Sequence, residues 1–157
     1  QDRGRWDRDL IDEAVRLLER ARALASPGPY QLEAAINALQ AEAADEASTD
    51  WAQIVILYRE LRRHRPTPVT LLNLAVATSF AAGPAAGLAI LDAPELADHL
   101  ADYRYFHAAR ADLLRREGRS EEAAAAYRLA LALTGNEAER RFLARRLGDV
   151  GDSSAAD

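Results

Sequence analysis

The chain has 157 residues and a formal net charge of -5 at pH 7, and 49% of its residues are hydrophobic but only 6% aromatic. This hydrophobic content excludes a disordered segment, and the acidic balance argues against a protein that binds nucleic acid over its whole surface. The lack of cysteine excludes a disulfide framework and a thiolate metal site, and makes the reducing cytoplasm the expected compartment. No apolar run reaches the length of a membrane span, so no membrane partner is expected.

The N-terminal part of the sequence predicts two amphipathic helices and a polar loop. Residues 5–25 and 30–44 both place apolar side chains at intervals of three and four, which gives each helix one apolar face. The Ser-Pro-Gly-Pro segment at 26–29 separates these helices, and residues 45–49 form the loop that follows the second.

A third helix is predicted from the cap and stop signals around it. Asp50 has the position of an N-cap, with Gln53 three residues later. The arginine-rich residues 62–65 suit the negative end of the helix dipole. Pro66 and Pro68 then prevent the helix from continuing.

The middle of the chain predicts a buried helix and a short partner. Residues 69–82 are apolar almost all round, with Asn73 among them, which indicates a helix that is buried on most sides. Pro84 suits the first position of the next helix, residues 85–91. Residues 92–102 are expected to form an irregular connection.

Residues 103–147 predict a helical hairpin followed by a final helix. Gly118 ends the first hairpin helix, because glycine takes the left-handed C-cap conformation without a Cβ clash. Ser120 restarts the chain as an N-cap, and Asn136 with Glu139 has the spacing of a capping box. Small or aromatic residues stand where the hairpin helices must touch: Ala111, Ala123, Tyr127 and Ala130.

This hairpin resembles one tetratricopeptide unit, whose period is about 34 residues. We therefore predict an all-α fold of about seven or eight helices, arranged as a right-handed stack of antiparallel helix pairs in a tetratricopeptide-like solenoid. The alternative is an ordinary αα-hairpin in an alanine-rich bundle. Because the chain begins at Gln1, we expect a single domain over residues 1–147 cut from the C-terminal part of a longer protein, with a disordered tail over 148–157.

No arrangement of residues in the sequence predicts catalysis. There is no GxGxxG or GxxxxGK[ST] loop, and His64, His99 and His107 form no metal-ligand pattern. His107 has Arg110 and Asp112 near it on one helix, which suits a ligand role, but a partly buried structural histidine is favoured. We expect no catalytic residue, no cofactor and no metal site.

Two arginine clusters allow a phosphate-binding interpretation. One is residues 62–65, and the other runs along the last helix as Arg140, Arg141, Arg145 and Arg146. A solvated helix surface is favoured for the second cluster, because acidic residues interleave with these arginines.

Six stretches of the sequence, taken together, are similar to a known family. They are Arg5-Trp6-Asp7, Gly28-Pro29-Tyr30-Gln31-Leu32, Thr49-Asp50-Trp51, residues 72–77 (LNLAVA), residues 107–114 (HAARADLL) and residues 135–143 (GNEAERRFL). The combination resembles the C-terminal extension of those bacterial extracytoplasmic-function RNA polymerase sigma factors that carry a tetratricopeptide-like domain. Gln40 and Leu74 depart from the resemblance, because a histidine and an arginine are expected at these positions.

The resemblance implies a regulatory protein-interaction domain without catalysis. It would modulate transcription initiation through contacts with the preceding sigma domains, core RNA polymerase or a regulator, and only those preceding domains would bind promoter DNA. No small-molecule substrate is expected. By this resemblance, the polar residues near a binding groove are Gln31, Glu42, Asn73, Arg110 and Asp112.

Other interpretations of the same residues stay open. Asn73 and Arg110 could instead satisfy buried backbone groups, or Arg110 could pair with an acid such as Asp112. The alternative function is a general tetratricopeptide-like adaptor unrelated to transcription, and a third class is an enzyme or a small-ligand binder with an α-helical pocket.

Overall fold

The computed structural model of the chain describes residues 28–154 and the single positions 9, 11 and 16. The described residues form eight α-helices and no strand, which confirms the all-helical expectation. The helices are α1 (Pro29–Glu42), α2 (Trp51–His64), α3 (Pro68–Ala82), α4 (Pro84–Leu91), α5 (Pro94–His99), α6 (Arg104–Arg116), α7 (Ser120–Ala132) and α8 (Glu137–Ser154). Apart from the three single positions, the helix predicted over residues 5–25 lies outside the described residues, as do residues 155–157.

The chain divides into two compact units, Gln1–Ala77 and Thr78–Asp157, and the division falls within α3. In the first unit, α1 packs against α2. Leu32 and Ile36 of α1 and Ile54 and Leu61 of α2 are almost completely buried. They lie on the apolar faces that the sequence spacing predicts, so these two helices share a core of aliphatic side chains.

The connection between α1 and α2 is held by local hydrogen bonds. The Asp45 carboxylate accepts from the Ser48 backbone N–H at 2.8 Å, and the Asp45 carbonyl accepts from the Thr49 hydroxyl at 2.8 Å. Asp50 accepts from the Gln53 backbone N–H at 2.9 Å, which confirms the predicted N-cap of α2.

In the second unit, α6 and α7 pack together and are joined by a tight turn at Gly118. Gly118 has a φ of 76°. The Arg119 N–H donates to the Leu114 carbonyl at 2.9 Å and the Gly118 N–H to the Arg115 carbonyl at 3.0 Å. These are the two bonds of a Schellman motif, so the predicted helix end at Gly118 is confirmed.

The start of α7 differs from the prediction. Ser120 is the first residue of α7 and not its N-cap; Arg119 takes the cap position and makes no side-chain cap bond. The Schellman turn uses Gly118 and Arg119, so the chain enters the next helix at once. The Arg119 guanidinium reaches forward to the Glu122 carboxylate instead.

Alanines fill the contact between α6 and α7. Ala111, Ala123 and Ala130 are each 0% exposed, and Tyr127 is 2% exposed. The small side chains allow the two helix backbones to approach closely, and the Tyr127 ring is buried with them. This confirms the positions at which the sequence predicts helix contact.

The connection before α6 and the end of α8 also differ from the predictions. Residues 92–102 contain the short helix α5, whose Leu96 and the following Leu100 are buried. Helix α8 continues past Leu147 to Ser154, and Val150 is 2% exposed. The tail that was expected to be disordered is therefore helical as far as Ser154. Gly148 does not end the helix, and the buried Val150 side chain holds the segment after it against the protein.

Only half of the predicted capping box forms at the start of α8. The Asn136 side-chain oxygen accepts from the backbone N–H groups of Ala138 and Glu139 at 2.8 and 3.2 Å. The Glu139 carboxylate does not return to Asn136. It accepts from Arg104 Nε at 2.9 Å and from the Tyr105 hydroxyl at 3.1 Å, so it ties α8 to α6.

Candidate functional site

An open cleft of about 350 Å³ lies in the first unit, where α1, the end of α2 and the start of α3 meet. Its apolar surface comes from Ile36, Leu61 and Val69, one residue from each helix. Ile36 and Leu61 also belong to the core between α1 and α2, whereas Val69 is 40% exposed. The cleft therefore has a buried apolar floor and one exposed aliphatic side chain at its rim.

The sharp connection between α2 and α3 places Arg65 at this cleft. The Arg65 N–H closes α2 by donating to the Leu61 carbonyl at 2.7 Å, and Pro66 prevents another turn. Thr67 starts α3, because its hydroxyl oxygen accepts from the Thr70 N–H at 3.1 Å. Arg65 therefore lies at the end of one helix and within three residues of the next.

One cation and one anion of the cleft pair with each other. Arg65 Nη1 lies 2.9 Å from Glu33 Oε1, and both side chains are more than a third exposed. The Arg65 guanidinium also lies 4.6 Å from the centre of the Tyr30 ring, within cation–π range. A partly exposed pair contributes at most about 1 kcal/mol to stability, but it leaves these two residues with no net charge.

Two asparagines line the cleft with their hydrogen-bonding groups unused. Asn37 on α1 and Asn73 on α3 are both exposed, and neither side-chain amide makes a hydrogen bond within the described part of the chain. Each primary amide offers two donors and one acceptor oxygen. The two residues are 36 positions apart in the sequence.

Tyr58 adds a hydroxyl donor to the same cleft. Its side chain is half-buried, and the hydroxyl makes no hydrogen bond to any described residue. Burial raises the pKa of Tyr58, and the nearby negative charge of Glu33 raises it further. The phenol therefore stays protonated at neutral pH and can donate a hydrogen bond.

Of the five residues expected at a binding groove, Asn73 alone lines this cleft. Gln31 is half-buried and Glu42 is exposed at the end of α1, and neither lines it. Arg110 and Asp112 belong to the second unit.

The sequence analysis did not select Glu33, Asn37 or Tyr58 as site residues, and it named Arg65 only within the arginine cluster of residues 62–65. No local pattern of the sequence marks these residues as neighbours of Asn73.

Arg110 and Asp112 do not pair with each other, although one interpretation of the sequence pairs them. Arg110 Nε donates to Asp92 at 2.9 Å, and Asp112 accepts from Arg115 Nη2 at 2.8 Å. Residues two apart on a helix point in different directions, so Arg110 and Asp112 cannot face each other. Asp92 follows α4, so its ion pair joins α4 to α6 within the second unit.

A second ion pair lies near Arg110. Two nitrogens of the Arg119 guanidinium, Nε and Nη2, donate to the two oxygens of the Glu122 carboxylate, at 2.7 and 2.6 Å. The hydrogen bonds from Arg119 lower the pKa of Glu122, and the positive charge of Arg110 lowers it further. Asp92, Arg110, Glu122 and Arg119 thus form a cluster of alternating charge on the second unit.

Several arginines of the two clusters already bind carboxylates or carbonyl groups of the same chain. In residues 62–65, Arg63 pairs with Glu60 at 3.4 Å, and Arg65 pairs with Glu33. On α8, Arg140 donates to the Leu131 and Thr134 carbonyls.

The remaining arginines of α8 divide into two kinds. Arg146 lies near Asp149 and over the Phe142 ring. Arg141 and Arg145 are exposed and make no ion pair with any described residue.

His107 is half-buried and has a structural contact. Its Nε2 donates to the Ala101 carbonyl at 2.6 Å, and its ring packs edge-on against Phe106. This contact joins α6 to the loop before it.

Among the described residues, no three or more histidine, aspartate and glutamate side chains form a group that could hold a metal ion. No helix among them has the length and apolar character needed to cross a membrane.

Comparison with known proteins finds a similar bacterial chain. An uncharacterized protein of Rhizobium meliloti (strain 1021) is 42% identical over 155 residues, which cover 99% of this chain and 36% of the relative. The chain therefore spans about a third of the length of this curated relative. No family model matches the chain, and no solved structure matches it.

Proposed function

We propose that this chain is a regulatory protein-interaction domain of an RNA polymerase sigma factor. In this proposal the helix pairs form a right-handed tetratricopeptide-like stack, and the domain modulates transcription initiation by contacting the preceding sigma domains, core polymerase or a regulator. We likewise propose, for the whole protein, the activity of a sigma factor that recognises a promoter and contacts polymerase.

The cleft of the first unit is the observation that carries the interaction role. It combines a buried apolar floor with the unpaired amides of Asn37 and Asn73 and the protonated hydroxyl of Tyr58. These groups can bind a ligand but do not form a nucleophile-and-base pair. The assignment to transcription rests on the sequence resemblance alone.

A deletion in the full-length protein tests this function. Removing residues 5–147 should alter transcription from the target promoter, because the protein contact that tunes initiation is lost. Transcription is measured with purified polymerase and in cells, and circular dichroism checks that the preceding domains remain folded.

The same experiment separates the two candidate functions. If full-length and truncated proteins initiate transcription equally well in both systems, the domain does not regulate a sigma factor. The adaptor function, in which the same cleft serves a partner outside transcription, then replaces it.

A further inference from the structure

Helix α7 is exposed on the side opposite to its buried face. The buried face contains Ala123, Tyr127 and Ala130, and the helix packs against α6 and α8. Six exposed residues share the other side, because helical spacing places them on one face: Glu121, Ala125, Arg128, Leu129, Ala132 and Leu133. Leu129 is 52% and Leu133 37% exposed. These six residues are the outer face of α7, an apolar stripe with one charged residue of each sign at its edge.

We propose that the outer face of α7 binds the same face of a second copy of this chain, with the two helices antiparallel. The pairing uses a surface of the second unit, whereas the cleft described above lies in the first. It is a further property of the chain and does not depend on the sigma-factor function.

The charges of the outer face are complementary to those of an antiparallel second copy. Glu121 stands in the first turn of α7 and Arg128 two turns later, and neither side chain makes an ion pair with any described residue. Glu122, the other acid of this turn, is already bound by Arg119. When two α7 helices run in opposite directions, Arg128 of each lies towards Glu121 of the other. A parallel pair would bring like charges together, so the charges select the antiparallel orientation.

A twofold axis at Ala125 satisfies both the charges and the side-chain sizes. Ala125 then meets Ala125 of the second copy, and these small side chains let the backbones approach closely, as the alanines between α6 and α7 do. Side chains of a helix lean towards its N-terminus, so Leu129 of each copy leans over Ala125 of the other. Arg128 comes level with the first turn of the other helix, where Glu121 stands. Twofold symmetry makes each of these contacts twice.

The size of the outer face predicts a weak dimer. Helix α7 has 13 residues, which is about 20 Å of helix at roughly 1.5 Å per residue. Two helices of this length bury less than the roughly 1,200–2,000 Å² of a stable interface. The dimer should therefore exchange with the monomer and have a Kd in the micromolar range or above. At the low concentrations of unfolding experiments the chain should be monomeric.

Sedimentation equilibrium of the full-length protein, from low micromolar to near-millimolar concentration, tests the pairing. We expect a reversible equilibrium between monomer and dimer. A protein that stays monomeric over the whole range would contradict the proposal.

Charge variants test the orientation of the two helices. Arg128→Glu and Glu121→Arg should each raise the dimer Kd about tenfold, because two symmetric ion pairs become two repulsive pairs. The combined variant, which carries both substitutions, should restore the Kd of the parent, because opposite charges meet again. A combined variant as weak as the single ones would overturn the proposal.

An apolar position of the same face provides an independent variant. Leu129→Glu should abolish the dimer, because it places a carboxylate beside the acidic first turn of the second copy. Phe142→Glu is the matched control, since Phe142 is a 48% exposed apolar residue of α8 outside the outer face of α7. Both positions are exposed, so both variants should melt near the temperature of the parent at low concentration. Equal dimer Kd values for the two variants would rule out this interface.

A different occupant of the outer face would give a different result. If the full-length protein is monomeric and Leu129→Glu lowers its melting temperature while Phe142→Glu does not, another segment of the same protein covers this face, and the proposal is wrong. Dimerisation that depends on Leu129 and on the charge pair supports the proposal whether or not the deletion of residues 5–147 affects transcription.

Discussion

At the scale of single residues, small side chains decide how closely α6 and α7 approach. Ala123 is 0% exposed at this contact. Ala123→Leu should therefore lower the free energy of unfolding by about 1–3 kcal/mol, because the added carbons overpack a filled interface. Denaturant unfolding measures the change. Ala125→Leu, at an exposed position of the same helix, should change stability little. Equal stability of the two variants would show that the hairpin register is wrong.

Glu122 links the stability of the second unit to pH. Arg119 lowers its pKa in the folded protein, so the pair stabilises the fold above the ordinary glutamate pKa of about 4.3, and this contribution is lost as the pH falls through the folded-state pKa. Glu122→Gln should melt at a slightly lower temperature than the parent near pH 6, and the difference should disappear in acid.

Glu121→Gln is the control for this pH dependence. Glu121 lies in the same first turn of α7 and makes no ion pair with any described residue. Both substitutions remove one negative charge from the helix N-terminus, so the helix dipole affects them alike. A melting-temperature difference for Glu122→Gln that persists unchanged in acid would rule out the ion pair as its cause.

At the scale of the elements, two glycines have opposite roles. Gly118 ends α6 with a φ of 76°, whereas Gly148 lies inside α8 without a positive φ. A Cβ at either position meets no atom within 4 Å, so the difference between them is one of backbone conformation. Gly118→Ala should cost about 1 kcal/mol or more in unfolding free energy.

Gly148→Ala should change stability in the opposite direction. Alanine is the better helix former by about 1 kcal/mol, so this variant should be more stable than the parent if α8 persists beyond Leu147 in solution. Both variants are compared by denaturant unfolding. A loss of stability in Gly148→Ala would contradict a helix that continues to Ser154.

At the scale of the whole molecule, charge limits what the chain can bind. The net charge is -5, and of the four arginines of α8, Arg140 and Arg146 are already engaged within the chain. We expect no appreciable binding of this chain to duplex DNA at physiological salt, because contacts to phosphates supply most non-specific affinity.

Fluorescence anisotropy with labelled duplex DNA tests this expectation. A micromolar, salt-sensitive Kd that disappears in Arg141→Ala with Arg145→Ala would contradict it. That result would make the exposed arginines of α8 a nucleic-acid surface.

The sequence by itself determined most of the helical segments among the described residues, and how several of them begin and end; it missed α5 and the last residues of α8. Asp50 caps α2, Pro84 starts α4 and Gly118 ends α6, as their positions predict. Each of these signals acts through backbone groups within about four residues, so it can be predicted from residues that are adjacent in the sequence. The buried alanines of the α6–α7 hairpin were predictable for the same reason, because helical spacing fixes which residues share a face.

The tertiary structure alone decided which polar groups meet. Glu139 binds Arg104 and does not complete the capping box, and Arg110 of α6 pairs with Asp92 at the end of α4. The cleft brings Glu33 and Asn37 together with Arg65 across the contact of α1 and α2 and the start of α3. No local pattern predicts such pairs, because their energies depend on distances that helix packing sets between residues far apart in sequence.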